Sequence, residues 1–354
     1  MVISRNNTYK WVLCKYCRGI YMTKVLIMTT RKSGRALNQI FDNLLDAKIE
    51  FRLIDEISQS DTEWGDFVLA LGNDSDILKT FHNVFKMNIP ILSVNENNDE
   101  KFLTEIGLSR LPQVLKYIVQ GKFEIEECNT LTVTTYKEDC PPAVNEVAIF
   151  PHRSATLLEY TLKVDNEEIW TDSSDGVIIA TPTGSTAYAM STGGPMILPS
   201  SNVFTIVSVN SIDITRRPLI VPEDAVVTIE NIVSKLQCEI IIDGVFRSKI
   251  GQMVTISKSI NPVRLIRLTK TSHTAKKMAK KVLLARNLLS MPPSAKLMLK
   301  TLEYEGPLSR RNILKRTMLP DRTASLALSI LLDRGLVKRK SSLKDSREKM
   351  YFVT

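Results

Sequence analysis

Apolar positions in the first third of the chain alternate between unbroken runs and helical spacing. Lys24 to Thr29 reads as a buried strand, and Ser33 to Lys48 as a helix with Leu37, Ile40, Phe41, Leu44 and Leu45 on one face. Phe51 to Ile54 and Phe67 to Leu71 read as strands, the latter closing on Gly72; Asp76 to Met87 reads as a helix and Ile89 to Val94 as another strand. Strands alternating with helices predict a mostly parallel sheet, here an α/β domain over residues 23–126. Such sheets place ligands at the carboxyl ends of their strands, where "LGNDSD" and "SVNENN" lie.

The period then shortens. Leu131 to Tyr136, Asn145 to Phe150, Glu159 to Val164, Val177 to Ala180, Val203 to Val209, Val226 to Ile229 and Glu239 to Ile242 are strand-like runs parted by turn residues. They predict a β-rich domain, all-β and sandwich-like, over residues 127–272. Residues 273–293 read as a linker helix ending at Pro292-Pro293. Within residues 294–354, Ser294 to Tyr304, Ser309 to Thr317 and Asp321 to Arg334 have helical spacing, with Ser309 and Asp321 as expected N-caps. Val337 and Met350 to Val353 read as two strands around a charged loop, and residues 1–22 as a basic tail.

Charge divides the chain more sharply than its net +9 suggests. From Arg264 onward there are 22 Lys and Arg against 6 Asp and Glu, while the rest carries 25 against 32. An acidic body with a basic end predicts a polyanionic partner for that end. No apolar run approaches the ~20 residues of a membrane helix, and residues 1–21 hold no apolar core of a secretory signal, so no membrane partner and a cytoplasmic location are expected. The five cysteines are scattered, which predicts free thiols; Cys14-x-x-Cys17 has metal-ligand spacing but no second pair, so no metal site is assigned.

The densest chemistry lies in "DGVIIATPTGSTAYAMSTGGP", Asp175 to Pro195. Small residues let a main chain approach a ligand, and hydroxyls bond phosphate or ribose, so Gly184, Ser185 and Thr186 at a strand end suit a nucleotide site. A helix beginning at Ala187 to Ser191 would add amides aimed at an anion. A tight turn packed on another sheet is the competing reading.

This stretch resembles the signature of the NAD kinase family, which phosphorylates the 2′-hydroxyl of the adenosine ribose of NAD. In the family's order come Asn145-Glu146-Val147, "RRPLIVPEDAVVTI" from Arg216 to Ile229, and Ile242-Asp243-Gly244; "LGNDSDIL" occupies the place of the family's Gly-Gly-Asp-Gly-Thr. The resemblance spans roughly residues 23–270 and implies an α/β domain followed by a β-rich one. It makes Asp74 the catalytic carboxylate that takes the ribose proton. Asn145 and Glu146 would hold ribose hydroxyls and the adenine edge. Asp175 would meet the nicotinamide side, and Thr183, Thr186, Ala187 and Tyr188 would line the adenine and ribose pocket. Gly72, Asn73 and Ser75 would form the phosphate loop. Mg²⁺ would accompany ATP, NAD and NADP would be substrate and product or ligands, and a homo-oligomer, dimer or tetramer, is implied.

The phosphate loop departs from the family. Asn73 and Ser75 stand at glycine positions and Asp76 at a threonine; Asn73, tolerant of left-handed angles, would preserve the turn, whereas Asp76 would set negative charge beside a triphosphate. Residues Asn95 to Phe102 carry acids where the family has glycine and apolar positions. These changes leave two expectations: a working NAD kinase using ATP or another phosphoryl donor, or a catalytically weakened NAD(P)-sensing transcriptional regulator. Residues 294–354 resemble a winged helix-turn-helix, carried by "LSRRNILKRTMLPDRTASLALSILLDRGLVKRK". That nominates Arg322, Thr323 and Ser325 on the recognition helix, and Lys338, Arg339, Lys340, Lys344 and Arg347 around the wing, for contact with DNA.

Overall fold

The computed structural model describes residues 24–29, 34–96, 103–135, 140–153, 156–268, 291–305, 307–341 and 349–353. The chain divides into two compact units, one ending at His273 and the other beginning at Thr274. Cys14, Cys17, Lys344, Arg347, the tail 1–22 and most of the linker 273–293 lie outside the described residues.

The first unit opens with a seven-stranded sheet. Strands β1 (Lys24–Thr29), β2 (Glu50–Ile54), β3 (Phe67–Leu71), β4 (Ile91–Asn95) and the short β5 (Ile106–Gly107) pair in parallel. Helices α1 (Arg35–Asp46), α2 (Gln59–Trp64), α3 (Asp74–Val84) and α4 (Leu111–Val119) connect or flank them. Runs such as Val68-Leu69-Ala70 are apolar throughout because both sheet faces are covered. Val25, Ile27 and Leu69 share a core with Leu37 and Ile40 of α1 and Val114 of α4, while Leu26, Val68 and Ala70 share another with Ile77 and Phe81 of α3.

Strands β6 (Glu124–Cys128), β7 (Leu131–Thr134), β8 (Glu146–Pro151), β9 (Leu158–Val164), β10 (Glu167–Ser174) and β11 (Gly176–Ala180) follow. After the one-turn helix α5 (Tyr188–Ser191) come β12 (Val203–Val209), β13 (Leu219–Pro222), β14 (Val227–Ser234), β15 (Cys238–Ile242), β16 (Phe246–Lys249), β17 (Val254–Lys258) and β18 (Val263–Arg267). A five-stranded sheet, β10-β9-β14-β17-β7, and a six-stranded sheet, β13-β12-β11-β8-β15-β16, enclose one core that includes Tyr160, Leu162 and Ile229 from the first and Val147, Ile179, Phe204 and Ile240 from the second. On β11 the side chains alternate: Val177 and Ile179 enter that core, while Ile178 and Ala180 pack on the opposite face with Ala189 and Val207.

Two strands cross the expected division at residue 126. β6 straddles it, and β18, expected in the β-rich part, returns to the first sheet, parallel to β4 and antiparallel to β6. Its Arg267 explains the return energetically: the guanidinium pairs with Glu105 at 2.7 Å and Glu126 at 2.6 Å. Burial would lower its pKa, but these carboxylates raise it.

The second unit runs α6 (Pro293–Glu305), β19 (Leu308–Ser309), α7 (Arg310–Thr317), α8 (Asp321–Asp333), β20 (Val337–Ser341) and β21 (Lys349–Val353). The strands form an antiparallel sheet in the order β19-β21-β20. Ser309 caps α7 as expected, its hydroxyl accepting from Asn312 N. Asp321 does not cap α8: Pro320 takes that position and Asp321 is the first helical residue, where its charge suits the helix dipole. Ala324, Ala327, Leu328 and Leu331 face the core with Ala295, Met298 and Ile313, and Leu326 stays 63% exposed.

Candidate functional site

The loop after β3 is fixed by its own side chains. Asn73 caps α3, its Oδ1 accepting from Asp76 N at 3.1 Å, while Asp76 Oδ2 accepts from Asn73 N at 3.1 Å. This reciprocal capping box starts the helix at Asp74 rather than at Asp76. It also corrects one expectation: Asn73 is extended (φ −85°) and serves through its amide oxygen, not through a left-handed backbone. Asp76 is 9% exposed and turned back on the helix end, its carboxylate bonded to the Asn73 amide within the expected phosphate loop. Gly72 is obligatory for this arrangement: its φ is +152°, and a Cβ there would lie 2.4 Å from Asp76 Cβ. Asp74, half-buried at the first helical position, accepts from Leu103 N at 3.3 Å through Oδ1; Asn73 and Ser75 are exposed beside it.

The hydroxyl-rich turn after β11 is occupied with itself. Thr181 Oγ1 donates to Val144 O (2.6 Å) and accepts from Gly184 N (3.0 Å); Ser185 Oγ donates to Pro182 O (2.7 Å) and accepts from Ile197 N (2.9 Å); Thr186 Oγ1 donates to Thr183 O (3.3 Å). Gly184 lies against the Asn145 main chain, where a Cβ would fall 1.9 Å from the carbonyl oxygen. The turn therefore makes its closest approach to protein backbone, as the packed-turn reading expected, and in doing so sets Asn145 and Glu146 beside Thr183. The expected anion-binding helix is the single turn α5, too short to build an appreciable dipole.

Asp243, in a left-handed turn (φ 53°) between β15 and β16, organises the same segment. Its Oδ1 accepts from Asn145 N (2.7 Å) and Glu146 N (3.1 Å), and its Oδ2 from Val144 N (2.9 Å) and His82 Nε2 (2.9 Å). Neither His82 nor the bracing role of Asp243 is visible in the sequence, since partners 161 residues apart leave no local signal.

Tyr188 is 45% exposed and its ring stacks on Phe150, centroids 6.0 Å apart; Phe150 in turn covers Gly176, where a Cβ would meet the ring at 2.5 Å. Burial, then the charges of Glu146 and Asp175, raise the Tyr188 phenol above its usual pKa, which brings all three into one electrostatic neighbourhood. Asp175 accepts from Asn210 Nδ2 at 2.8 Å. Cys128 lies under Thr183; burial first and Glu126 second push its thiol up to about 12, leaving it inert at neutral pH. Among the described residues no group of three His, Cys, Asp or Glu could hold a metal ion, and no helix is long and apolar enough to cross a membrane.

In the second unit Arg322, Lys338, Arg339 and Lys340 are exposed, and Thr323 is half-buried. Ser325 is engaged within the protein: Oγ donates to Asp321 O (2.8 Å) and accepts from Arg310 Nη2 (2.6 Å), which also pairs with Asp321 at 2.8 Å.

The fold defines the class first. It resembles that of an NAD kinase from Archaeoglobus fulgidus in complex with ATP (TM-score 0.61, 22% identity, 73% of this chain and 98% of that one). It also resembles that of yeast NADH kinase complexed with NADH (TM-score 0.63, 16% identity, 74% and 87%). Residues 2–123 match the ATP-NAD kinase N-terminal domain, and residues 144–268 the ATP-NAD kinase C-terminal domain. An NAD kinase of Methanothermobacter thermautotrophicus is 30% identical over 67% of this chain and 86% of its own length, and one of Methanopyrus kandleri 33% identical over 58% and 74%. The chain belongs to the NAD kinase family.

Proposed function

We propose that this chain transfers a phosphoryl group from ATP, or from polyphosphate, to the 2′-hydroxyl of the adenosine ribose of NAD, giving NADP. The observation that supports this is that α3, which begins with Asp74, is tied through His82 to the same Asp243 that braces the Asn145-Glu146 segment. Asp74 accepts the ribose proton as the hydroxyl attacks the γ-phosphorus. Asn145 and Glu146 hold the ribose and adenine edge; Thr183, Thr186, Ala187 and Tyr188 line that pocket, and Asp175 faces the nicotinamide side. The loop of Gly72, Asn73 and Ser75 at the start of α3 receives the triphosphate through the helix dipole, the Gly72 and Asn73 amides being themselves bonded to Val94 O and Asp76 Oδ2. Mg²⁺ accompanying the nucleotide would neutralise charge developing on the phosphates. Asp76 keeps its charge at the start of α3, so the NADP assay also decides between a working kinase and an NAD(P)-binding sensor. Exposed Ile212 (62%) and Ile214 (87%), in the loop after Asn210, support a homo-oligomer. The test is purified protein with NAD, ATP and Mg²⁺, scored for NADP. Absence of NADP would end the proposal.

A second activity is proposed for the other unit: a winged helix-turn-helix that binds DNA. The order helix, strand, two helices and a two-stranded hairpin supports it, as do the exposed cations Arg322, Lys338, Arg339 and Lys340. Ser325, tied to Arg310, is withdrawn from base contact in this reading. Titration of the full chain with duplex DNA at rising salt tests it; affinity insensitive to salt would refute it.

A further inference from the structure

His82 sits eight residues after Asp74 on α3, so the two are about 12 Å apart along the helix axis. Its side chain is 9% exposed and that of Asp243 fully buried. Because a carboxylate only accepts, Nε2 carries the hydrogen in their 2.9 Å contact. Four donors thus converge on one buried carboxylate. Three are main-chain amides of Val144, Asn145 and Glu146; the fourth comes from the helix that begins with Asp74.

We infer that His82 is a positioning residue: through Asp243 it sets the register between Asp74 and the Asn145-Glu146 segment, and so between the base and the sugar it deprotonates. This rests on the phosphoryl-transfer reading above. Removing His82 leaves the three amides on Asp243, so the dinucleotide segment keeps its shape and its affinity. What is lost is the polar tie from that segment to α3, leaving only the non-directional apolar packing of Val144 with Ile77 and Phe81 to hold the two in register. A shift of about 1 Å between reacting groups costs on the order of 100-fold in rate.

The experiment uses the full chain with His82→Ala, His82→Gln and His82→Asn. Steady-state kinetics with varied NAD and NAD titration calorimetry are run on each, with amide exchange of peptides covering 74–80 and 144–146. In His82→Ala, kcat falls about ten- to 100-fold while the Kd for NAD stays within about threefold. His82→Gln, whose amide N–H reaches the same carboxylate, recovers kcat to within about threefold of wild type. The 74–80 segment exchanges faster in His82→Ala and recovers in His82→Gln, while 144–146, still bonded to Asp243, changes little. If His82→Ala does not fold, the shorter His82→Asn takes its place with the same expected losses. The inference is overturned if kcat stays within twofold of wild type, if Kd weakens in step with kcat, or if Gln behaves as Ala does. Should wild type bind NAD without making NADP, the phosphoryl-transfer reading fails separately; exchange then decides the tie, and unchanged exchange in the 74–80 segment refutes it.

Discussion

Gly184→Ala is the sharpest test of how the site is assembled. A methyl group at this position would stand 1.9 Å from Asn145 O, 2.3 Å from its carbonyl carbon and 2.6 Å from its Cα, all backbone atoms that no rotamer change can clear. Restoring ordinary contact near 3.4 Å requires the two main chains to part by roughly 1.5 Å. The strain is about 2–3 kcal/mol, which in a unit of this size lowers Tm by roughly 5–10 °C. The larger effect falls on function, because the displaced atoms belong to the residue proposed to hold the ribose. A 1 Å error there costs on the order of 100-fold in kcat/KM for NAD. Gly251→Ala, where a Cβ meets nothing within 4 Å, controls for loss of a glycine as such and leaves both quantities unchanged. Differential scanning calorimetry and coupled NADP assays measure the two effects. A Gly184→Ala protein with wild-type Tm and wild-type kcat/KM would show that the turn is not seated on Asn145 and would sink the account of the site.

Three other outcomes are expected. Asp74→Asn lowers NADP formation by roughly 100- to 10,000-fold while calorimetry finds NAD binding nearly unchanged; undiminished turnover would assign the base elsewhere. Burial pushes the Tyr160 phenol up to about 12, so its unfolded form ionises first as pH rises: the contribution is intact below about pH 10 and is lost between 10 and 12, at a cost of about 2–3 kcal/mol. Urea unfolding should therefore show a steeper alkaline fall in wild type than in Tyr160→Phe, and equal slopes would refute it. If Arg322, Lys338, Arg339 and Lys340 each meet a phosphate, DNA affinity drops on the order of 100-fold between about 50 and 200 mM salt, and Arg322→Ala lowers the logarithmic slope by about one; equal slopes for the two proteins would remove Arg322 from the contact.

Periodicity carried most of the fold. The strands β1 to β4 and seven of the strands after residue 126 follow from apolar runs and alternation, because those patterns are what two covered or one covered face require; β10, β16 and β17, more polar in sequence, and the short β13 escaped. The return of β18 to β4 escaped too, since Val263, Leu265 and Ile266, interrupted by Arg264, do not say which sheet they join. Helix α4 escaped as well, although Leu111, Val114, Leu115 and Ile118 have helical spacing. In the site, Asp76 was read only for its charge, although Asn73-x-x-Asp76 already had the spacing of a capping box. Capping is a local fact and was legible; the partner of His82, 161 residues away, was not.

The glycine of the signature and the aspartate at residue 243 then explain each other. Asn145 is held on three sides of its main chain: its N–H by Asp243, its carbonyl by Thr181 N at 2.9 Å, and its Cα by the bare face of Gly184. With its backbone so committed, its side chain is the part left for a ligand. The hydroxyls of Thr181 and Ser185 serve the same end, binding carbonyls at Val144 and Pro182 rather than a sugar. Thr181, Gly184 and Ser185 therefore act at one remove. They make a rigid floor beneath Asn145 and Glu146, so that a dinucleotide bound as proposed would lose its freedom against a surface that has little of its own to lose.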